Sequence, residues 1–188
     1  MSELILFHHA QGRTQGVEAF ADELRAAGHR VTVPDLYEGA TFSTLEDGVA
    51  HAERIGFDEI IDRGVAAAAN LPASIVYAGF SLGVLPAQKL AQTRPGALGA
   101  LLYHEGLAAS TFGAAWPDQV ALQVHLSEHD AWAELDVTQK LVEDAADAEL
   151  YLYPGSAHLF TDATLADYDE PAARLVLERS KEFLGRWP

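Results

Sequence analysis

With 188 residues and 49% apolar side chains, the chain is long enough for one domain, residues 1–188, with a sizeable core. Its 28 Asp and Glu against 12 Lys and Arg give a formal charge of −16, a field that repels phosphate backbones and anionic bilayers, so neither nucleic acid nor membrane is an expected partner. The absence of cysteine excludes disulfides, thiolate metal sites and a thiol nucleophile.

The amino end, MSELILFHHA, carries Glu3 where a secretory leader needs basic charge, and its apolar run from Leu4 to Phe7 is short. No other stretch approaches the roughly 20 apolar residues of a membrane span. A cytoplasmic protein is the expectation. Strand-like runs follow at Leu4 to His9, His29 to Leu36, Ala73 to Phe80, Gly99 to Gly106, Ala121 to Glu128 and Ala148 to Gly155. Helical stripes lie between them: Val17, Phe20, Leu24 and Ala27; then Ile60, Ile61, Val65 and Ala68; then Leu82, Leu85 and Leu90. Leu175, Leu177, Phe183 and Leu184 mark a closing helix, and VAAAAN at Val65 to Asn70 marks a helix end. This alternation predicts an α/β fold, a mainly parallel sheet of about six strands with helices on both faces. Strands apolar at nearly every position, as in Ser74 to Ala78, agree with burial on both sides.

Chemistry in such sheets gathers at the carboxyl ends of the strands. There the chain places Ser81 in Gly79-Phe80-Ser81-Leu82-Gly83, between a strand and a helix. This is the context of a nucleophile elbow, where a sharp turn lifts the hydroxyl clear and the flanking backbones leave no room for a Cβ. The helix start then aims the Leu82 N–H at a developing oxyanion. A serine hydroxyl needs a base, and the base a carboxylate, in the chain order Ser, Asp or Glu, His. His158, in the turn-rich YPGSAHLFTD after the last strand, has the position of the base. Glu128, Asp130 and Glu134 are the acids on offer, and Asp130 is preferred because the strand ends near Ser127.

These residues resemble the dienelactone hydrolase family of α/β-hydrolases over nearly the whole length, through LFHHAQG, PDLYEG, GFSLG, ALLYHEG, LSEHD and YLYPGSAHLF. The resemblance implies hydrolysis of a small-molecule ester or lactone through an acyl-enzyme, without metal or organic cofactor. By match to the family's motif it also implies the Ala10 N–H as second oxyanion donor. Three positions depart from the founding enzymes: Ser81 replaces their cysteine, His9 the glutamate that activates it, and Asp162 the arginine that grips a substrate carboxylate. Without the arginine, neutral esters, thioesters or lactones are the expected substrates. If Asp162 faces the pocket, it repels anions.

A catalytically silent α/β-hydrolase-like binding protein is the alternative from another class. Metal-assisted hydrolysis has ligand types in His8, His9, His104, Glu105, His129 and Asp130, but adjacent strand residues point to opposite faces and no H-E-x-x-H helix occurs. Glu38, His104 and Trp132 are candidate substrate contacts, and Trp132, Phe112 and Trp116 candidates for an apolar acyl pocket, with core packing an equal explanation for the aromatics.

Overall fold

The computed structural model describes residues 1–113 and 115–187. Six strands, β1 (Glu3–Phe7), β2 (Arg30–Thr32), β3 (Val76–Phe80), β4 (Gly99–Tyr103), β5 (Ala121–Ser127) and β6 (Ala148–Tyr153), form one sheet in the order β2-β1-β3-β4-β5-β6. Every pairing is parallel. All carboxyl ends therefore lie along one edge. The strands occupy the segments expected from the sequence but are shorter: β1, β4 and β5 end at Phe7, Tyr103 and Ser127, one residue before His8, His104 and Glu128.

Residues alternate sides along each strand and so build two cores. Leu4, Leu6, Val76, Ala78 and Phe80 face the helices α1 (Gln15–Ala26) and α6 (Glu170–Leu184), packing against Val17, Phe20, Leu24, Val176 and Phe183. Ile5, Phe7, Tyr77, Leu102 and Val124 face the other way. There they meet α2 (Leu45–Ile55), α3 (Phe57–Ala68), α4 (Val84–Thr93) and α5 (Leu135–Asp144), through residues such as Ala52, Ile60, Ala87 and Leu141. β3 and β4 are buried at all five positions, whereas the edge strand β6 buries only Tyr153.

Three sequence expectations need correction here. Ala27 caps α1 and is exposed, so that stripe ends at Leu24. Leu175 is likewise exposed, and α6 turns Ala172, Val176, Ser180 and Phe183 inward instead. Leu82 belongs to a 3₁₀ turn, Ser81–Gly83, ahead of α4, whose buried face runs through Val84, Ala87, Leu90 and Ala91. The tight turn shifts the helical phase, which leaves Leu82 and Leu85 half-buried and lining a cavity, with Leu82 also packing against the edge of the core. Among the described residues no helix is long and apolar enough to cross a membrane.

Candidate active site

β3 delivers Ser81 at the centre of the carboxyl edge. Its φ is +48°, in the left-handed region that a non-glycine residue adopts only under constraint. The constraint is the crossing of three backbones. A Cβ on Gly79 would overlap the Gly83 carbonyl, and one on Gly83 would overlap the Phe7 carbonyl at the end of β1. The glycines allow α4 to start directly beneath the hydroxyl, which is the steric requirement read from the motif.

Ser81 Oγ lies 2.7 Å from His158 Nε2, and His158 Nδ1 lies 2.7 Å from Asp130 Oδ2. Asp130 also accepts the Trp132 N–H at Oδ1, 2.9 Å. Both the imidazole and the carboxylate are buried, with side-chain exposures of 5% and 2%, so their bond is shielded from competing water. An ionised Asp130 accepts only, so Nδ1 carries the proton and Nε2 is left to accept from the serine. Backbone bonds between the two loops fix this geometry: Glu128 N–H to Tyr153 O, 2.9 Å, and His129 N–H to Gly155 O, 3.0 Å, with Ser127 Oγ–H to Ala157 O at 2.6 Å.

The turn after β1 is braced around Ala10, which is buried. Gln11 N–H donates to His9 Nδ1 at 3.2 Å, Gly12 N–H to His9 O at 3.0 Å, and Phe42 N–H to Gln11 O at 2.9 Å. A Cβ on Gly48 of α2 would overlap the Ala10 carbonyl, so α2 packs directly on this peptide. His8 ties the turn to the loop after β2: its Nδ1 bonds His9 O at 2.8 Å and its Nε2 accepts Leu36 N–H at 3.0 Å. Burial lowers the His8 pKa to about 4, so it acts as a neutral hydrogen-bonding strut.

The structure removes Asp162 from the substrate path. It is 2% exposed and accepts from His9 Nε2 at 2.9 Å, Thr14 Oγ1 at 2.5 Å, and Thr164 N and Oγ1 at 2.8 and 2.6 Å. Burial alone would raise its pKa, but these four donors win and hold it at about 2. Thr14 is also the N-cap of α1, accepting Val17 N–H at 3.1 Å. Two of the three departures from the founding enzymes thus touch each other: His9 and Asp162 form one buried pair joining the Ala10 turn to the His158 loop. The expectation that Asp162 repels substrate anions is therefore overturned, because its oxygens are buried and turned to these donors.

Two of the expected substrate contacts also fail. His104 is fully buried at φ +67°, with Nε2 2.7 Å from Thr161 Oγ1, and burial pushes its pKa well below the usual imidazole range. It supports the His158 loop from beneath instead. Glu38 is exposed and pairs with Arg63 at 3.5 Å, lining neither cavity beside the site. Trp116 is core, with Nε1–H bonded to Val120 O at 2.7 Å, and Phe112 likewise lines neither cavity. Trp132 does stand at the site, 46% exposed with its ring 6.3 Å from that of His158.

The Ser81–His158 bond separates two cavities. A polar one of about 360 Å³ is lined by His158, Trp132, Gln11, Ser43, Ser156 and Asp167 among others. An apolar one of about 290 Å³ is lined by Ser81, Leu82, Phe57, Val84, Leu85, Leu107 and Glu105. Phe57 and Leu85 escaped the sequence reading because α3 begins at a bare glycine junction and Leu85 looked like core. Among the described residues no three His, Asp or Glu side chains are grouped so that they could hold a metal ion.

A parallel sheet with a strained serine on a strand-to-helix elbow, followed in chain order by an acid loop and a histidine loop, defines the α/β-hydrolase class. Within it the chain belongs to the dienelactone hydrolase family, whose sequence profile matches residues 2–187. Among solved structures it is similar to a dienelactone hydrolase-like promiscuous phosphotriesterase from metagenomic libraries (TM-score 0.79, 18% identity, 99% of this chain and 86% of that one). It is also similar to a cold-adapted esterase from an Arctic intertidal metagenomic library (TM-score 0.61, 16% identity, 93% and 82%). No curated protein matches the chain. At these identities the structural likenesses establish the fold, and the family establishes hydrolase chemistry in general.

Proposed function

We propose that the protein is a serine hydrolase of small neutral esters, thioesters or lactones, with Ser81 as nucleophile, His158 as base and Asp130 as the acid that orients it. The observation that carries this reading is the continuous chain Ser81 Oγ, His158 Nε2, His158 Nδ1, Asp130 Oδ2, with 2.7 Å at each link between residues. Attack of Ser81 Oγ on the substrate carbonyl passes the hydroxyl proton to His158 Nε2, and Asp130 stabilises the resulting imidazolium. The oxyanion is received by the N–H groups of Leu82 and Ala10. Collapse breaks the bond to the leaving group, which takes the proton from His158. Water, deprotonated by the same imidazole, then frees Ser81 and releases the acid.

The proton route assigns the cavities. A departing alcohol or thiol must reach His158 Nε2, so it occupies the polar cavity beside Trp132, and the acyl chain occupies the apolar cavity on the Ser81 and Leu82 side. No step requires a metal or organic cofactor. Ser81→Ala and wild type, assayed side by side on short-chain esters and lactones and treated with a serine-directed fluorophosphonate, test the reading. A loss of at least about 1,000-fold in kcat together with loss of labelling is expected. Near-wild-type turnover by Ser81→Ala refutes the nucleophile, and an unlabelled, inactive wild type favours a silent binding protein.

A further inference from the structure

Among the described residues, Glu105 is the one ionisable group lining the apolar cavity, which it shares with Ser81. The walls around it are Phe57, Leu82, Val84, Leu85 and Leu107. A carboxyl in such a wall loses hydration and is retained at a cost unless something answers its charge. One oxygen, Oε1, accepts Gly106 N–H at 2.9 Å. Among the described residues no Lys or Arg lines the cavity and Glu105 forms no ion pair. The ionisable groups facing it are His158 and Asp130, both already bonded to each other. The carboxylate also accepts the backbone N–H of Glu134 at the start of α5, and burial still pushes the Glu105 pKa up to about 7 against the pull of the Gly106 N–H, of His158 and of the Glu134 N–H, none of which is a neighbouring Lys or Arg. A cation entering with the acyl chain would supply the missing counter-charge.

We propose that Glu105 is the specificity-determining residue of the acyl cavity and selects acyl chains that end in an ammonium group, a proposal that rests on the serine-hydrolase reading above. Such a chain places its methylenes along Phe57, Leu85 and Leu107 and its cation on the Glu105 carboxylate. A carboxylate at the same place meets a like charge. The anion discrimination that the sequence suggested for Asp162 thus belongs to Glu105.

Binding separates this proposal from the catalytic one. The probes are the methyl esters of 4-(trimethylammonio)butanoate and of 5,5-dimethylhexanoate, which differ by a positively charged nitrogen in place of a carbon. In the Ser81→Ala chain at pH 8.5, titration calorimetry should show the cationic ester binding at least about 10-fold more tightly, as a charge pair in a partly wet site allows. That ratio should shrink at pH 6, where Glu105 takes up a proton, and should be lost at pH 8.5 in Ser81→Ala/Glu105→Gln. The double variant also registers any effect of His158 or Asp130, which both chains retain. Equal affinities at pH 8.5, no measurable binding of the cation, or an undiminished ratio in the double variant overturns the proposal. The pH dependence in Ser81→Ala stands on its own if the double variant does not fold. An intact binding preference in a wild type that hydrolyses neither ester refutes the nucleophile and leaves Glu105 as the cation's partner.

Discussion

Among the described residues, two buried histidine–aspartate pairs have nearly equal geometry, His158–Asp130 at 2.7 Å and His9–Asp162 at 2.9 Å, and they differ in what the second imidazole nitrogen meets. In the first pair, the free nitrogen reaches Ser81 Oγ and borders a cavity. In the second, it accepts the Gln11 backbone N–H, so that imidazole is closed at both ends. His9 Nε2 accordingly carries the proton given to Asp162, whose remaining capacity is taken by Thr14 and Thr164. The same two residue types thus face a serine hydroxyl in one place, where the proposed mechanism uses them as a proton relay, and form a brace in the other. A short contact and low exposure do not distinguish the two; the partner of the second nitrogen does, a serine hydroxyl beside a cavity for His158 and a backbone N–H for His9.

The sharpest way to separate the pairs is to remove each imidazole. His158→Ala should lower kcat by about 10,000-fold with little change in melting temperature, since it takes the base from the serine. His9→Gln, which keeps a donor towards Asp162, should retain kcat within about 10-fold. Steady-state kinetics on one activated ester checks both.

Buried imidazoles without a close carboxylate extend the comparison. His104 and His125 have no acidic partner among the described residues, and His8 has only Asp35 at 3.9 Å. Burial lowers the pKa of His8 to about 4, of His125 to about 3, and of His104 well below the usual value. The unfolded chain binds these protons near pH 6.5 and the folded chain does not, so their contribution is complete above 6.5 and lost as pH falls towards the folded values. Denaturant melts between pH 7 and pH 4.5 should show stability falling by up to about 4 kcal/mol per pH unit, three protons' worth. A flat profile would mean that these rings open to water. Asp162, held at about 2, adds a further loss below its ordinary value of 3.8.

Asp162→Asn should cost about 3 kcal/mol in chemical denaturation, because it breaks a buried pair and weakens the acceptor for Thr14 at the start of α1. Its effect on kcat should stay below about 10-fold. Asp162→Arg should destabilise more and should not recruit carboxylate substrates, because the site faces α1. Gly48→Ala, whose methyl must displace the Ala10 peptide, should lower kcat by about 10- to 100-fold with KM nearly constant, the signature of a misplaced oxyanion donor.

The elbow was legible in the sequence because its demands are local: a strand, two glycines around the serine and a helix within a dozen residues. Chain order then pointed to His158 as the base, and the end of the strand near Ser127 favoured Asp130 over Glu128 and Glu134; the fold brings His158 and Asp130 together. Helices α2 and α5 gave no readable stripe. α2 buries only Gly48 and Ala52, and α5 only Thr138 and Leu141, so their packing relies on small residues that carry little hydrophobic signal. The His9–Asp162 pair spans 153 positions and follows no periodicity, so each residue could be seen to depart from the family without their contact being visible. Glu105 reads from the sequence only as a ligand type, since its meaning depends on a wall assembled from α3, the elbow and the loop after β4.

The most direct measurement is the rate at which Ser81 is labelled by a fluorophosphonate at neutral pH, followed by intact-mass spectrometry, in wild type, Asp130→Asn and Asp162→Asn. The relay account predicts that Asp130→Asn slows labelling by at least about 1,000-fold, because the imidazole loses the tautomer that accepts from Ser81, and that Asp162→Asn slows it by less than about 10-fold. Equal slowing in the two variants, or wild-type labelling in Asp130→Asn, would contradict it.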